Sequence, residues 1–223
     1  MLYLYAFSER MGVFKKLIVP ILMSVFMLMP AVSVVAGDAD SDAEWVLVGE
    51  DNDIKVFERW ISLDRQRARE RQGKMVLNCT PDELLAILSD PSKTKLWMSN
   101  VEECHVINRN SSGEWFVYTL MDAPWPIGKQ DFVSKYVVSR SDDRITLNIY
   151  QQTDLVPKKK NIERIDTFSA RWDIIPVGDN TISVKFTTQS TQPHRYPNWA
   201  QDPIVRHTFL QNMKKLRRHI NKG

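Results

Sequence analysis

The residues of this chain that could do chemistry are few, and most stand at spacings that do not combine. His105, His194, His207 and His219 are scattered, and neither they nor Cys79 and Cys104 have metal-ligand spacing. No Gly-x-Ser-x-Gly elbow marks a serine nucleophile. With eight glycines in the chain there is no glycine-rich phosphate loop. Asp142-Asp143 reads as a hairpin turn, not an acid/base pair. The two cysteines either pair in an oxidising compartment or stay as buried thiols. Arg164 is the sharpest case. Counted in steps of two it is in phase with Phe168, Ala170, Trp172 and Ile174, the dry face of a strand. A guanidinium buried there needs an acidic partner, because unpaired burial costs several kcal/mol. Otherwise strand pairing has ended at Arg164 and it is exposed. Nothing in the sequence asks for a cofactor or a metal.

The elements that must position these residues are mostly strands closed by one long helix. Asp202 suits an N-cap and Pro203 a first helical position. From there Val205, Phe209, Met213, Leu216 and Ile220 form one helical face. Arg206, Lys214, Lys215, Arg217 and Arg218 occupy the other. Earlier, Thr80-Pro81-Asp82-Glu83 is a capping box opening a short helix, and Asp90-Pro91 starts a second. Strands are expected at Trp45–Val48, Ile54–Trp60, Ala68–Leu77, Val101–Ile107, Trp115–Met121, Asp131–Val138, Ile145–Tyr150, Ile165–Ile175 and Thr181–Gln189. In the last pair, apolar Phe168, Ala170, Trp172 and Ile174 alternate with polar partners, as do Ile182, Val184 and Phe186. That is a sheet with one dry and one wet face. About nine strands, a helix pair after the third and a closing helix make an α+β, helix-grip arrangement: a curved antiparallel sheet around a long C-terminal helix.

Residues 1–36 read as a secretory signal peptide, with Arg10, Lys15 and Lys16 before the apolar run Leu17–Val35 and small residues before Gly37. The alternative is an uncleaved anchor, although Pro20 and Pro30 interrupt the run. Residues 37–44 read as a flexible leader and 45–223 as one domain. Export to the periplasm, or secretion, follows from this reading. The net charge is +3, too small to suggest nucleic acid. Basic residues cluster instead at Lys158–Lys160 and on the final helix, which suits either a solvated face or an anionic membrane surface. Asn78-Cys79-Thr80 and Asn110-Ser111-Ser112 match a glycosylation pattern, meaningful only in a eukaryotic secretory pathway.

Several markers then fall in order: Pro124-Trp125-Pro126, Asp131-Phe132, Pro157-Lys158-Lys159, Arg164, Trp172, Pro176, and Pro193, Pro197 and Trp199 before the last helix. From Trp45 onward the chain resembles the START domains, the lipid-transfer family related to the steroidogenic acute regulatory protein, in an exported bacterial form. It departs from the family pattern at Gln130 and Glu163, where arginine and valine are usual.

The resemblance implies a tunnel holding one lipid, sterol or other hydrophobic molecule, and a carrier or sensor rather than a catalyst. It offers Asp131 as the partner of Arg164 inside that tunnel. With them, Phe168, Trp172, Val205, Phe209, Met213 and Leu216 are the expected ligand-binding residues; the other reading makes Trp172 and the four helix residues plain core. It makes the Ala123–Gln130 loop a gate beside the final helix, with Pro124, Trp125 and Pro126 at its tip. Trp125 is then a structural plug or a tip that dips into a bilayer interface. The partners expected are an apolar ligand and, transiently, a membrane surface; a monomer is expected, and no nucleic acid. The alternative is a helix-grip enzyme of cyclase or hydrolase type, with Asp131 as acid/base, a reading that rests on fold analogy.

Overall fold

Alternating apolar and polar residues build a sheet whose dry face is covered by the C-terminal helix. The computed structural model describes residues 43–63, 65–110, 113–191 and 196–221. The expected signal segment 1–36, leader residues 37–42, Ser111, Ser112, Pro193 and His194 lie outside them. The strands are β1 (Val46–Asp51), β2 (Ile54–Leu63), β3 (Gln66–Leu77), β4 (Val101–Arg109), β5 (Trp115–Ala123), β6 (Gly128–Ser141), β7 (Arg144–Gln151), β8 (Glu163–Arg164), β9 (Phe168–Gly178) and β10 (Thr181–Ser190). The helices are α1 (Pro81–Leu88), a 3-10 turn at Pro91–Lys93 running into α2 (Thr94–Trp97), and α3 (Asn198–Ile220).

Nine strands follow one antiparallel path, β1-β2-β3-β10-β9-β7-β6-β5-β4, and β8 adds to β6 in parallel. Helices α1 and α2 carry the chain from β3 to the far edge at β4. The expected capping box opens α1: Glu83 N donates to Thr80 Oγ1 and Thr80 N to Glu83 Oε2. Register shifts occur in β1 and β4, the two edge strands, and at the start of β10, where bulges bend a sheet.

The main core lies on the inner face. Val56, Met75, Leu147, Ile174 and Val184 from the strands meet Leu84 and Leu88 of α1 and Phe209, Met213 and Leu216 of α3. Gly73 of β3 lets the helix close on the sheet. A Cβ there would stand 2.9 Å from both Met213 Cε and Phe209 Cε1. A second, smaller cluster of Tyr118, Leu120 and Val133 sits on the outer face, covered by Val156 and Ile162.

Two expectations need correction. The last helix begins at Asn198, so Asp202 is not its N-cap. The backbone of Pro197 accepts from Ala200 N and Gln201 N instead. Pro203 instead sits in the second turn, where it removes the bond its N–H would have made to the Trp199 carbonyl. The expected strand Ile165–Ile175 starts only at Phe168, as β9; residues 165–167 lie outside any strand and separate it from the two-residue β8. Cys79 and Cys104 are both free thiols. Cys79 is buried, which pushes its pKa up to about 11, with the Glu83 charge adding to the rise.

Candidate functional site

The sheet and α3 do not meet along their whole length. Between them lies a cavity of about 340 Å³. Its walls come from alternate residues of the strands: Met121 and Ala123 on β5, Gln130, Phe132 and Tyr136 on β6, Ile149 on β7, Phe168, Ala170 and Trp172 on β9, and Phe186 on β10. The helix side supplies Ile204, Val205, Thr208, Phe209 and Asn212. Trp172, Phe186 and Phe209 form an aromatic stack, with centroids 4.2 and 5.4 Å apart, and Trp97 stands edge-on to Trp172 at 5.7 Å. The stack forms one apolar wall of the cavity.

Polar groups interrupt this surface. Asn212 Oδ1 accepts from Ser99 N at 2.8 Å, tying α3 to the segment after α2. Gln130 Nε2 donates to Glu163 Oε2 at 3.3 Å. Trp97 Nε1 is buried with no hydrogen-bond partner among the described residues. Burial pushes the Tyr136 hydroxyl far above its ordinary range, so it stays neutral. Arg69 and Arg71 of β3 complete the lining.

Four of the eight expected ligand contacts line this cavity: Phe168, Trp172, Val205 and Phe209. Met213 and Leu216 do not. One helical turn further on, α3 rests directly on the sheet, and these two fill the core. Asp131 and Arg164 do come together. Arg164 Nε donates to Asp131 Oδ1 at 2.6 Å, and Nη2 donates to Oδ2 at 3.0 Å. The pair is not in the cavity, however. It lies on the outer face beside Tyr118, whose hydroxyl donates to Asp131 Oδ2 at 3.2 Å. The carbonyls of Val156 and Pro157 accept from Nη1 and Nη2 at 3.0 and 3.3 Å. Counting from Phe168 back to Arg164 fails because residues 165–167 lie outside any strand and reset the phase; Glu163 and Ile165 face inward instead. Asp131 has no exposed surface, so an acid/base step through it has no route to a molecule in the cavity.

The Pro124–Ile127 turn joins β5 to β6 at the cavity rim. Pro124 and Ile127 line the cavity, while Trp125 is 87 % exposed. Tyr196 and Gln201 line the cavity from the start of α3, where Trp199 is 80 % exposed. Trp125 therefore plugs nothing. The sequence reading used Trp199 only as a marker and missed its exposure, and it missed the whole β3 contribution. Glu163 and Gln130 stood out only as departures from the START pattern.

A sheet path with a crossover helix pair and a gripped C-terminal helix defines the helix-grip fold. Solved structures of that fold confirm the assignment. A STAR-related lipid transfer protein from Xanthomonas axonopodis superposes with a TM-score of 0.70 at 24% identity, over 80% of this chain and 99% of that one. Human StAR-related lipid transfer protein 5 gives 0.70 at 17% identity, over 81% and 88%. The Zhui aromatase/cyclase from Streptomyces gives 0.52 at 10% identity, over 70% and 94%. No protein-family model and no curated protein matches the chain.

Proposed function

We propose that this protein binds one lipid or other apolar molecule in the cavity beneath α3 and acts as a carrier or sensor in the cell envelope. The observation that carries the reading is the cavity itself: an aromatic and aliphatic interior between sheet and helix, large enough for a small ligand. The START proteins that share its fold are lipid transfer proteins by name. A lipid chain of about fifteen carbons is held in a membrane by roughly 12 kcal/mol, at about 0.8 kcal/mol per methylene. A carrier must offer comparable apolar surface.

Membrane contact is part of the proposal. Trp125 and Trp199 are both exposed, and each follows or precedes residues that line the cavity. Indole is suited to the bilayer interface. The signal segment expected at residues 1–36 would place the protein in the periplasm or outside the cell, acting as a monomer and without nucleic acid.

Native mass spectrometry of protein purified from its own host tests the reading. One apolar molecule per chain is expected, and it should vanish in Ala170→Trp, which fills the cavity from β9. A Trp variant that keeps the same cargo at the same stoichiometry would reject the cavity as its site.

A further inference from the structure

We infer that the cavity takes a single-chain amphiphile with an anionic head, and that Arg69 and Arg71 of β3 receive that head. The inference rests on the lipid-carrying reading and narrows it. Two residues apart on one strand, both side chains fall on the inner face, and both line the cavity.

Their charge is incompletely answered. Arg69 Nη1 donates to Glu58 Oε2 at 3.1 Å and Nη2 to Asp202 Oδ2 at 2.8 Å. Arg71 Nε donates to Glu58 Oε1 at 2.7 Å, and its Nη2 reaches Asp202 Oδ1 at 3.4 Å. Arg206 of α3 also spends itself on Glu58, through Nε at 3.0 Å and Nη2 at 2.7 Å, and stands 4.0 Å from Asp202. Three guanidiniums thus share two carboxylates. Arg69 Nε is buried with no hydrogen-bond partner among the described residues.

At Glu58 and Arg71 the direction of the pKa shift agrees with this imbalance. Burial works to raise the Glu58 carboxyl, yet Arg206 and Arg71 overcome it and hold the group below its ordinary value. Burial pulls Arg71 down, and Glu58 and Asp202 do not restore it. Glu58 is thus over-supplied with donors, while Arg71 is left under-answered. A carboxylate or phosphate entering the cavity would supply the missing acceptor through charge-assisted hydrogen bonds.

The rest of the cavity favours the same orientation. Its other charged group is Glu163, on the β6 side, across β9 and β10 from β3. An anion is repelled there and drawn to β3, leaving the aromatic stack for the chain. A volume of about 340 Å³ is near the lower end of the roughly 300–1,000 Å³ typical of ligand sites. That favours one chain over two.

The test compares three probes of equal chain length on the delipidated full-length protein: oleate, oleoyl lysophosphatidate and oleyl alcohol. At least one anion should bind about tenfold more tightly than the alcohol, and the tighter anion names the head group. In Arg71→Gln the cluster is charge-balanced. There the advantage should fall below about threefold while alcohol affinity holds. Arg71→Lys, which keeps the charge, should retain part of it. Equal binding of anion and alcohol by the wild type would overturn the inference and leave the apolar cavity standing. An advantage that survives both Arg69→Gln and Arg71→Gln would overturn the assignment to β3. Failure of all three probes to bind would count against the carrier reading itself.

Discussion

Arg164 and Asp131 face each other in parallel register across β8 and β6, and their two-pronged ion pair seals the outer face of the sheet. Every donor of this guanidinium described above meets an oxygen, either of Asp131 or of the Val156 and Pro157 carbonyls. The pair therefore holds the long connection after β7 against the sheet; it does not line the cavity. Arg164→Met strands a buried carboxylate and should cost about 3–5 kcal/mol. Arg164→Met combined with Asp131→Leu should recover much of that loss. Denaturant titration of both single variants and the double variant measures it. Cargo affinity of the folded variants should be unchanged.

Acid should weaken the grip of α3 on β2 and β3. Glu58 is buried and its folded-state pKa lies below the ordinary 4.5. A depressed carboxyl adds stability above its unfolded value and loses it as pH falls through the folded value. Stability should therefore drop below about pH 4.5. Glu58→Gln should be less stable at pH 7 and show a shallower acid limb, followed by thermal melts between neutral pH and pH 3.

Gly73 is a packing position. Gly73→Ala pushes a methyl group against Met213 and Phe209. Methionine can yield, but the Phe209 ring is stacked on Phe186. A loss of about 1–3 kcal/mol is expected. Because Phe209 also lines the cavity, the variant should discriminate more sharply against bulky cargo. Chemical denaturation and a ligand-size series read the two effects separately.

Trp125 and Trp199 should matter at membranes and nowhere else. Substitution of either by alanine should change stability by less than about 0.5 kcal/mol, as for other exposed residues. The double variant Trp125→Ala with Trp199→Ala should lose binding to anionic vesicles and slow cargo transfer. Vesicle co-sedimentation with an equal-stability control checks this.

Much of the fold was legible because local signals agreed with one another. The alternation in β9 and β10, the Thr80–Glu83 box and the helical face at Phe209 each fix an element without help from distant residues. The dry face at Phe168 and Trp172 followed from the same alternation; that a cavity lies over it was implied only by the resemblance to the START domains. What failed depended on the third dimension. Residues 165–167 leave the ladder, so a count carried back to Arg164 lands on the wrong side. Asp202-Pro203 imitates a helix start, yet Asp202 is buried and bonded to Arg69 of β3. Glu58, Arg69 and Arg71 look like a wet face, because each is charged; only their mutual pairing allows them to turn inward. The contact between Met213 and Gly73 decides where the hollow stops, and no local pattern records it.

The C-terminal helix is moored at both extremities. Asp202 and Arg206 tie its early turns to β2 and β3, and Lys214 and Arg217 tie its late turns to Asp51 and the carbonyl of Asn52. A rod fastened twice behaves as a door jamb, not a door. On the carrier reading, we propose that entry comes at the short Pro124–Ile127 corner, a part of the cavity rim that these ties do not hold.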